Sequence, residues 1–491
     1  MTEHFDVIVV GAGLSGIGAG YHLQTRCPDR SYAILEGRDA IGGTWDLFRY
    51  PGIRSDSDMH TLGYNFRPWT REKAIADGPS IREYVTDTAR TYGIDRHIRF
   101  GHRVVAADWS TPDACWTVEC RLGDGSTRRF TCNFLYMCSG YYNYATGHAP
   151  EFPGAGDFRG RIVHPQFWPE DLDYAGKKVV VIGSGATAVT LVPELAKSAA
   201  HVTMLQRSPT YVVSRPAEDR LANALRRVLP AKAAYGFTRW KNVLLQMYFY
   251  RAARKHPAQA KERLVAMVRE RLGDDYDVAT HFTPRYNPWD QRLCLVPDAD
   301  LFDAIKAGGA SVETGTIDTF TENGIRLASG KTLDADIIVT ATGLELQLLS
   351  GVPFTSDNKR IDLPKTLNYK GMMFSDVPNL ASCFGYTNAS WTLKADLTSM
   401  YVCRLLEAMR KRGMRQCTPR IGNEPVEEEP FLTFSSGYVQ RALEHMPKQG
   451  SRKPWKLNQN YALDLMALRF GSVDDSMEFS NPVDARAKVA A

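Results

Sequence analysis

Residues 5–16, FDVIVVGAGLSG, decide the fold of this chain. The apolar run up to Val10 is typical of a strand buried on both faces. The glycines after it have the G-x-G-x-x-G spacing of a dinucleotide-binding turn, and the next strand-like run, SYAILE, ends on Glu36. The pattern predicts a Rossmann unit in which the turn holds a pyrophosphate at a helix N-terminus and Glu36 accepts a hydrogen bond from a ribose hydroxyl. The expected turn contacts are Gly11, Gly13, Ser15 and Gly16.

The strand, glycine turn and helix recur 172 residues later in KKVVVIGSGATAV, which begins at Lys177. The following strand, HVTMLQRS, ends on Arg207 where the first unit has an acid. A guanidinium suits a ribose 2′-phosphate, so we expect NADP here and FAD in the first unit. A surface arginine at a strand end is the alternative interpretation. The expected contacts are Gly183, Ser184, Gly185, Ala186, Thr187, Ala188, Val189, Arg207 and Ser208.

Composition is typical of a soluble globular protein rather than a membrane or secreted protein. It has 491 residues, of which 44% are hydrophobic and 23% charged, enough for two to four domains. No apolar run could span a bilayer, and the start lacks the features of a signal peptide, so a cytoplasmic location is expected. Cys115 and Cys120 fall in a strand-like run and are expected to be core thiols rather than a redox disulfide.

Positive charge is concentrated between Arg215 and Leu272, where 14 Lys and Arg face 4 Asp and Glu. Apolar residues three and four apart predict helices over residues 215–285, an insertion that roofs the active site with its apolar faces packed inward. An interfacial membrane helix, with peripheral membrane contact, is the alternative. No nucleic-acid-binding motif is present, so no nucleic-acid partner is expected.

The loop after the first unit, IGGTWDLFRYPGIRSDSD from Ile41, combines glycines, aromatics and mixed charges. Such a loop beside a cofactor site indicates an active site, although a packed loop with surface ion pairs is the alternative. Val104 begins a strand that could offer backbone groups to an adenine, within a small antiparallel layer formed by residues 98–140. The loop residues expected to contact cofactor are Thr44, Trp45, Asp46, Leu47, Arg54, Ser55 and Asp56.

Three features of the second half complete the pattern. Arg292 lies at a loop-to-strand junction, either as a functional residue or paired structurally with Asp290. Residues 333–343 predict a buried strand that ends in a turn. A helix beginning near Trp391 would favour negative charge on a reduced flavin at its N-terminus. The tail from Gly437 predicts no chemistry of its own.

The order of these elements predicts an α/β protein with two Rossmann-like dinucleotide-binding domains, arranged as in glutathione reductase, and a helical insertion in the second. The expected segments, in chain order, are an FAD-binding part at 1–149, a linker at 150–170, an NADP-binding part at 171–214, the insertion at 215–285, and the remainder of the NADP-binding domain at 286–341 and of the FAD-binding domain with the C-terminal tail at 342–491.

Two long motifs give the chain a family resemblance over essentially its full length. The linker stretch at 158–169, FRGRIVHPQFWP, has the spacing F-x-G-x-x-x-H-x-x-x-W with a following proline. Residues 42–56 satisfy [AG]-G-x-W-x(4)-[FY]-P-[GM]-x(3)-D. With these motifs the chain resembles the Baeyer–Villiger monooxygenases, which are class B flavoprotein monooxygenases. The related N- and S-oxidising flavin monooxygenases usually lack the equivalent of Trp168.

The resemblance implies FAD and NADP as cofactors, no metal, Arg292 as the catalytic arginine and Asp56 as its carboxylate partner. It implies that a peroxide at flavin C4a, kept anionic by the guanidinium, converts ketones to esters or lactones and oxidises thioether or thioamide sulfur. Gln291 stands where many ketone oxidisers have lysine, so an N- or S-oxidising enzyme with little ketone activity is the alternative. His164 is expected to couple NADP binding to domain position rather than to act as a base.

Two other classes of flavoprotein are disfavoured. A disulfide reductase needs a cysteine pair close after the first nucleotide motif, and the chain has Trp45 and no cysteine there. A redox sensor without catalysis would bind FAD yet consume little NADPH.

Arg207→Ala should raise the KM for NADPH far more than the KM for NADH, because only NADPH carries the 2′-phosphate that the guanidinium would bind. Steady-state oxidation of the two reductants checks this. An equal change for both would show that Arg207 does not read the phosphate.

Overall fold

The computed structural model describes residues 2–291, 293–422 and 425–482. Within them the strands, in chain order, are β1 Glu3–Val10, β2 Tyr32–Leu35, β3 Ile98–Arg99, β4 Arg103–Ser110, β5 Cys115–Arg121, β6 Thr127–Met137, β7 Tyr142–Gly147, β8 Arg161–Val163, β9 Lys178–Ile182, β10 His201–Gln206, β11 Val212–Arg215, β12 Cys294–Pro297, β13 Ala310–Thr314, β14 Ile317–Thr321, β15 Gly324–Leu327, β16 Thr332–Asp334, β17 Ile337–Thr340, β18 Leu344–Leu346, β19 Phe354–Ser356, β20 Lys359–Arg360, β21 Asn368–Tyr369, β22 Met373–Phe374, β23 Leu380–Ser382, β24 Gln416–Pro419, β25 Glu428–Pro430, β26 Lys448–Gly450 and β27 Met477–Ser480.

The helices of the same described residues are α1 Leu14–Arg26, α2 Thr44–Leu47, α3 Met59–Leu62, α4 Gly78–Thr91, α5 Ala186–Leu195, α6 Arg220–Val228, α7 Ala231–Lys255, α8 Pro257–Leu272, α9 Val278–His281, α10 Asp300–Lys306, α11 Trp391–Arg412, α12 Gly437–Ala442 and α13 Tyr461–Leu465. The predicted α/β fold is therefore confirmed.

The first sheet is built around β1, which pairs in parallel with β2 on one side and with β6 on the other. Val9 of β1 faces Ile34 and Tyr136 in register, and the side chains of all three residues are buried. The full strand order is β20-β19-β4-β5-β6-β1-β2-β3, with β23 also on β6. Burial on both faces explains why β1 is an unbroken apolar run.

The second sheet is wholly parallel, in the order β13-β10-β9-β17-β8. Its central strand β9 carries the second glycine turn at its carboxyl end. Its edge strand β8 comes from the linker motif and pairs with β17. The linker is thus partly built into this sheet rather than lying free between two domains.

Two strand predictions need correction. The strands between residues 98 and 137 do not form a separate antiparallel layer, because β6 is long enough to pair with β5 and with β1 and so joins them to the first sheet. Residues 333–343 do not form one strand. The chain breaks at Ala335 and Asp336, so β16 joins a small antiparallel sheet and β17 joins the second parallel sheet.

Residues 215–285 contain four helices, α6 to α9, and α7 is attached to the first unit by a buried arginine. Arg239 donates hydrogen bonds to the carbonyl oxygens of His60 at 2.8 Å and Gly63 at 2.8 Å. Its guanidinium also lies 3.6 Å from the buried carboxylate of Asp396 on α11. Because the buried guanidinium of Arg239 has this many partners, it fixes the position of α7 against the first unit.

The prediction that the apolar faces of these helices pack inward is wrong for α6 and α7. Large hydrophobic side chains stay exposed on them, among them Val228, Phe237, Trp240, Leu244 and Tyr248. The inner face of α7 is already occupied by Tyr235, Arg239 and Val243, so the helix has a second apolar stripe that stays largely exposed within the described chain.

The cysteines behave as predicted. No disulfide joins any of the nine cysteines, all of which lie within the described residues, and Cys120 is buried within β5. Burial raises the pKa of the Cys120 thiol to about 12, which makes it a poor nucleophile.

Arg239→Ala should destabilise the protein by about 3 kcal/mol, because it leaves a buried carboxylate and several carbonyl groups without their cation. Thermal denaturation of the purified protein measures the effect. Arg263→Ala on the exposed face of α8 is the control and should change little. Equal melting temperatures for the two variants would contradict this role for Arg239.

Candidate functional site

A large cavity lies where the carboxyl ends of the parallel strands of both sheets meet. Its volume is about 1170 Å³, and its walls include Gly11 and Gly13 from the first turn and Gly183 and Gly185 from the second. Pockets for one small ligand span roughly 300–1,000 Å³. The cavity therefore exceeds the usual size for one ligand and suits two nucleotides that meet.

The first turn requires glycine because a side chain there would collide with the backbone. Gly11 has φ +102°, and a Cβ there would stand 2.7 Å from the carbonyl oxygen of Cys138. A Cβ at Gly16 would stand 1.8 Å from the carbonyl oxygen of Gly11. These approaches press α1 onto the strand end, so its unpaired N-terminal amides face the cavity as an anion site. Ser15 lines the cavity and its Oγ accepts a hydrogen bond from Trp391 Nε1 at 2.7 Å.

Glu36 follows β2 at the cavity wall, as the sequence predicts. Its carboxylate accepts hydrogen bonds from the backbone amides of Ala12 at 2.7 Å and Arg38 at 2.9 Å. Burial raises the pKa of Glu36, and the two amides act in the opposite direction. The carboxylate is held rigidly and still borders the cavity, which fits acceptance of a ribose hydroxyl.

The glycine-rich loop forms one wall of the cavity through Thr44, Trp45, Arg54, Ser55 and Asp56. Arg54 spans to the second unit, where it pairs with Asp300 at the start of α10.

Asp46 and Leu47 lie outside the lining. Asp46 is buried. Its carboxylate pairs with the guanidinium groups of Arg38 at 2.6 Å, Arg49 at 2.7 Å and Arg82 at 3.0 Å. Burial alone would raise the pKa of Asp46, but the hydrogen bonds from Arg38 and Arg82 hold it below its usual value. Leu47 packs against the core of the second unit. Both residues help to shape the loop, and their expected contact with a cofactor stays a prediction.

The second turn repeats the geometry of the first. A Cβ at Gly183, which has φ +140°, would stand 2.3 Å from the carbonyl oxygen of Ala341. Gly185 directly precedes α5, and a Cβ there would meet open space, which leaves room for a pyrophosphate. Ser184 Oγ lies 2.8 Å from Thr210 Oγ1 at the cavity wall.

The remaining residues predicted for the second unit fall into two groups. The first group lines the cavity and consists of Ala186, Thr187, Arg207 and Ser208. Ala188 and Val189 do not line it, because they are buried against the second core, and Gly16 is likewise used for packing. Arg207 is exposed, and among the described residues no carboxylate pairs with its guanidinium. Val104 of β4 lines the far end of the cavity.

An aromatic wall on the opposite side was not predicted. Tyr141 and Trp391 stack with ring centroids 4.9 Å apart and planes 15° apart, and Phe384 packs against both. The C-terminal part of the chain adds Ser436, Tyr438 and Arg441 to the lining. No sequence motif predicts these residues, because they reach the cavity only where the chain returns to the first unit.

Arg292 lies outside the described residues, so its expected pairing with Asp56 stays a prediction. Its neighbour Gln291 lines the cavity, as does Asp56. Asp290, the alternative partner, accepts from Arg254 at 2.7 Å.

His164 of the linker does not border the main cavity. Its ring packs so closely on Gly147 that a Cβ there would stand 2.2 Å away, and its Nδ1 accepts from the amide of Gln166 at 3.2 Å. Burial lowers the pKa of His164, which favours the neutral ring. These contacts fit a structural residue better than a general base.

The described residues offer neither a metal-binding cluster nor a membrane-spanning helix. No cluster of His, Cys, Asp and Glu there has the composition of a metal site. None of the helices described combines the length and apolar character needed to cross a bilayer.

The sequence matches a known family over most of its length. Residues 75–409 match the family described as flavin-binding monooxygenase-like, and residues 9–71 match an NAD(P)-binding Rossmann-like domain. The chain is 58% identical over 476 residues to the FAD-containing monooxygenase EthA of Mycobacterium tuberculosis strain H37Rv, covering 97% of both chains.

Solved structures share the fold at low sequence identity. An oxidized steroid monooxygenase bound to NADP superposes with a TM-score of 0.76 at 21% identity, covering 97% of this chain and 100% of that one. An ε-caprolactone-bound cyclohexanone monooxygenase superposes with a TM-score of 0.74 at 19% identity, covering 98% and 100%.

Glu36→Gln should weaken retention of the flavin nucleotide on the order of tenfold, because a charged acceptor for the ribose hydroxyl is lost. Reconstitution of the apoprotein, followed by flavin absorbance, measures the affinity. Glu270→Gln on α8 serves as a control for a neutral change in charge. Unchanged affinity in Glu36→Gln would remove Glu36 from the nucleotide site.

Proposed function

Since the chain belongs to the flavin-binding monooxygenase-like family and is an FAD-containing monooxygenase, we propose that it is a Baeyer–Villiger enzyme. With NADPH and O2 it converts ketones to esters or lactones, and it also oxidises thioether or thioamide sulfur. The observation that carries the proposal is that both glycine turns open into one cavity, one beside the carboxylate of Glu36 and the other beside the guanidinium of Arg207. A nucleotide whose ribose hydroxyl binds Glu36 and a nucleotide whose 2′-phosphate binds Arg207 can meet there.

The first unit holds FAD in this proposal. The amides at the start of α1 bind its pyrophosphate, Glu36 binds a ribose hydroxyl, and the backbone at Val104 borders the adenine end. The glycine-rich loop covers the nucleotide through Thr44, Trp45, Arg54, Ser55 and Asp56, all of which line the cavity.

The second unit holds NADP. The amides at the start of α5 bind the pyrophosphate, with Ser184 and Thr187 at the same wall. Arg207 and Ser208 take the 2′-phosphate, which an exposed guanidinium with no carboxylate partner in the described chain favours.

FAD bound in the first unit would supply the redox and oxygen-transfer chemistry, with NADPH as reductant and O2 as the source of oxygen. The residues of the chain stabilise negative charge at the reacting oxygen and exclude water. Arg292 stabilises negative charge at the reacting oxygen without readily giving up a proton, and Asp56 orients that guanidinium. The aromatic wall of Tyr141 and Trp391, with Phe384 packed behind them, keeps water from the reacting atoms, since water there would waste the reductant.

One sequence relative and one structural neighbour support the proposed substrate class. The relative EthA is an FAD-containing monooxygenase at 58% identity, and the structural neighbour with bound ε-caprolactone is a cyclohexanone monooxygenase. An N- or S-oxidising enzyme with little ketone activity is the second candidate, favoured by Gln291, which lines the cavity where many ketone oxidisers have lysine.

Arg292→Ala should retain FAD and still be reduced by NADPH, yet lose product formation by roughly a hundredfold or more, because the charge at the reacting oxygen loses its stabiliser. Stopped-flow spectra and product analysis separate the two steps. The exposed Arg285→Ala is the matched control. Product formation by Arg292→Ala at the wild-type rate would exclude Arg292 from the mechanism.

Oxygen uptake dependent on NADPH, measured against ketones, thioethers and thioamides with products identified by mass spectrometry, tests the substrate class. We expect an ester or lactone from at least one ketone and an S-oxide from at least one sulfur compound. S-oxides alone would establish the second candidate instead.

A further inference from the structure

The outer face of α7 and the α6–α7 turn carry large apolar side chains that meet solvent. Val228 at the turn is 76% exposed, and on α7 Phe237, Trp240, Leu244 and Tyr248 are 57%, 44%, 56% and 66% exposed. We call these five residues the outer face. The four on α7 are spaced three and four apart, so they form one stripe along about three turns of the helix.

The outer face is held in place by the opposite side of α7. Arg239 fastens the helix to three backbone carbonyls, of His60, Thr61 and Gly63. Asn242 donates to the carboxylate of Asp58 at 2.9 Å. The stripe is therefore a fixed surface feature and not a core face turned outward by loose packing.

Unpaired cations surround the outer face. Arg227 precedes Val228, Lys232 lies in the first turn of α7, and Arg251 and Lys255 continue the helix beyond Tyr248. All four are exposed, and within the described parts of the chain no carboxylate pairs with any of them. The whole segment from residue 215 to 272 has 14 basic and 4 acidic residues.

A neighbouring segment extends the apolar surface. Tyr461 at the start of α13 contacts Trp240, with ring centroids 5.7 Å apart. Leu463, Met466 and Phe470, which follow Tyr461, are themselves 47%, 61% and 63% exposed. The guanidinium of Arg469 lies 5.3 Å from the ring centroid of Phe470, so cations border this part as well.

We propose that this surface seats the protein on an anionic lipid membrane, with α7 lying in the plane of the interface. Tryptophan, tyrosine and phenylalanine suit the boundary between headgroups and acyl chains, while long basic side chains reach anionic headgroups. Each Lys or Arg near such a surface adds about 1 kcal/mol of attraction. The contact is peripheral.

Charge favours a membrane over a second copy of the chain. A two-fold dimer through α7 would place the same cations of both copies close together around an apolar seam, and no carboxylate of the described residues pairs with these cations. An anionic bilayer removes the apolar side chains from water and neutralises the cations at the same time.

Cosedimentation of the FAD-loaded protein with vesicles tests the proposal. The probes are phosphatidylcholine vesicles with and without roughly a third phosphatidylglycerol. We expect binding to the anionic vesicles only, with a large loss when salt rises from about 0.1 M to about 1 M. The triple variant Phe237→Ser, Leu244→Ser, Tyr248→Ser should bind at least about tenfold more weakly.

The matched control is Phe100→Ser with Ile421→Ser, two exposed apolar residues outside this surface. It should bind vesicles like the wild type. Flavin absorbance and melting temperature establish that both variants are folded. Arg251→Glu with Lys255→Glu should weaken binding at low salt and leave the flavin in place.

Three results would overturn the proposal. The first is equal binding to neutral and anionic vesicles. The second is equal vesicle binding by the triple variant and the wild type. The third is the absence of vesicle binding together with a wild-type dimer that the triple variant converts to monomer in analytical ultracentrifugation, which would assign the surface to a second copy of the chain.

Discussion

The close approach of backbone to backbone at the two glycine turns is the constraint on which the site depends. In each unit the first glycine sits against a carbonyl oxygen just beyond a neighbouring strand, that of Cys138 in one and of Ala341 in the other. No side chain fits at either position, so each helix starts directly at the end of its strand. The two helix N-termini then face a common cavity. The aromatic wall and the glycine-rich loop border the same cavity.

The sequence predicted the parts of the site that depend on local chemistry. The turns, Glu36 and Arg207 each follow from residues close together in the chain, and each lies at the cavity. The aromatic wall could not be predicted, because Trp391 reaches Ser15 across 376 positions of sequence and no motif records that contact. The three ion pairs of the buried Asp46 could not be predicted either, because only the folded geometry brings Arg38, Arg49 and Arg82 to its carboxylate.

The helices of residues 215–285 mark a second limit of sequence patterns. Periodic apolar residues predict that a helix forms, but they do not say which of two apolar faces is covered. On α7 the buried Arg239 decides this, because its hydrogen bonds to the carbonyls of His60 and Gly63 turn one face inward and leave Phe237 and Leu244 in solvent. The spacing of apolar residues could not predict that a cation, Arg239, lies in the middle of the inner face of α7.

The central claim is that the two nucleotide units of one chain share a cavity in which nicotinamide and flavin meet. Anaerobic stopped-flow reduction with NADPH deuterated at nicotinamide C4 tests it most directly. The account predicts that flavin bleaching slows with the deuterated reductant, as a primary isotope effect on direct hydride transfer, at a rate independent of protein concentration. Flavin reduction that shows no isotope effect under saturating NADPH, or that requires a second protein, would contradict it.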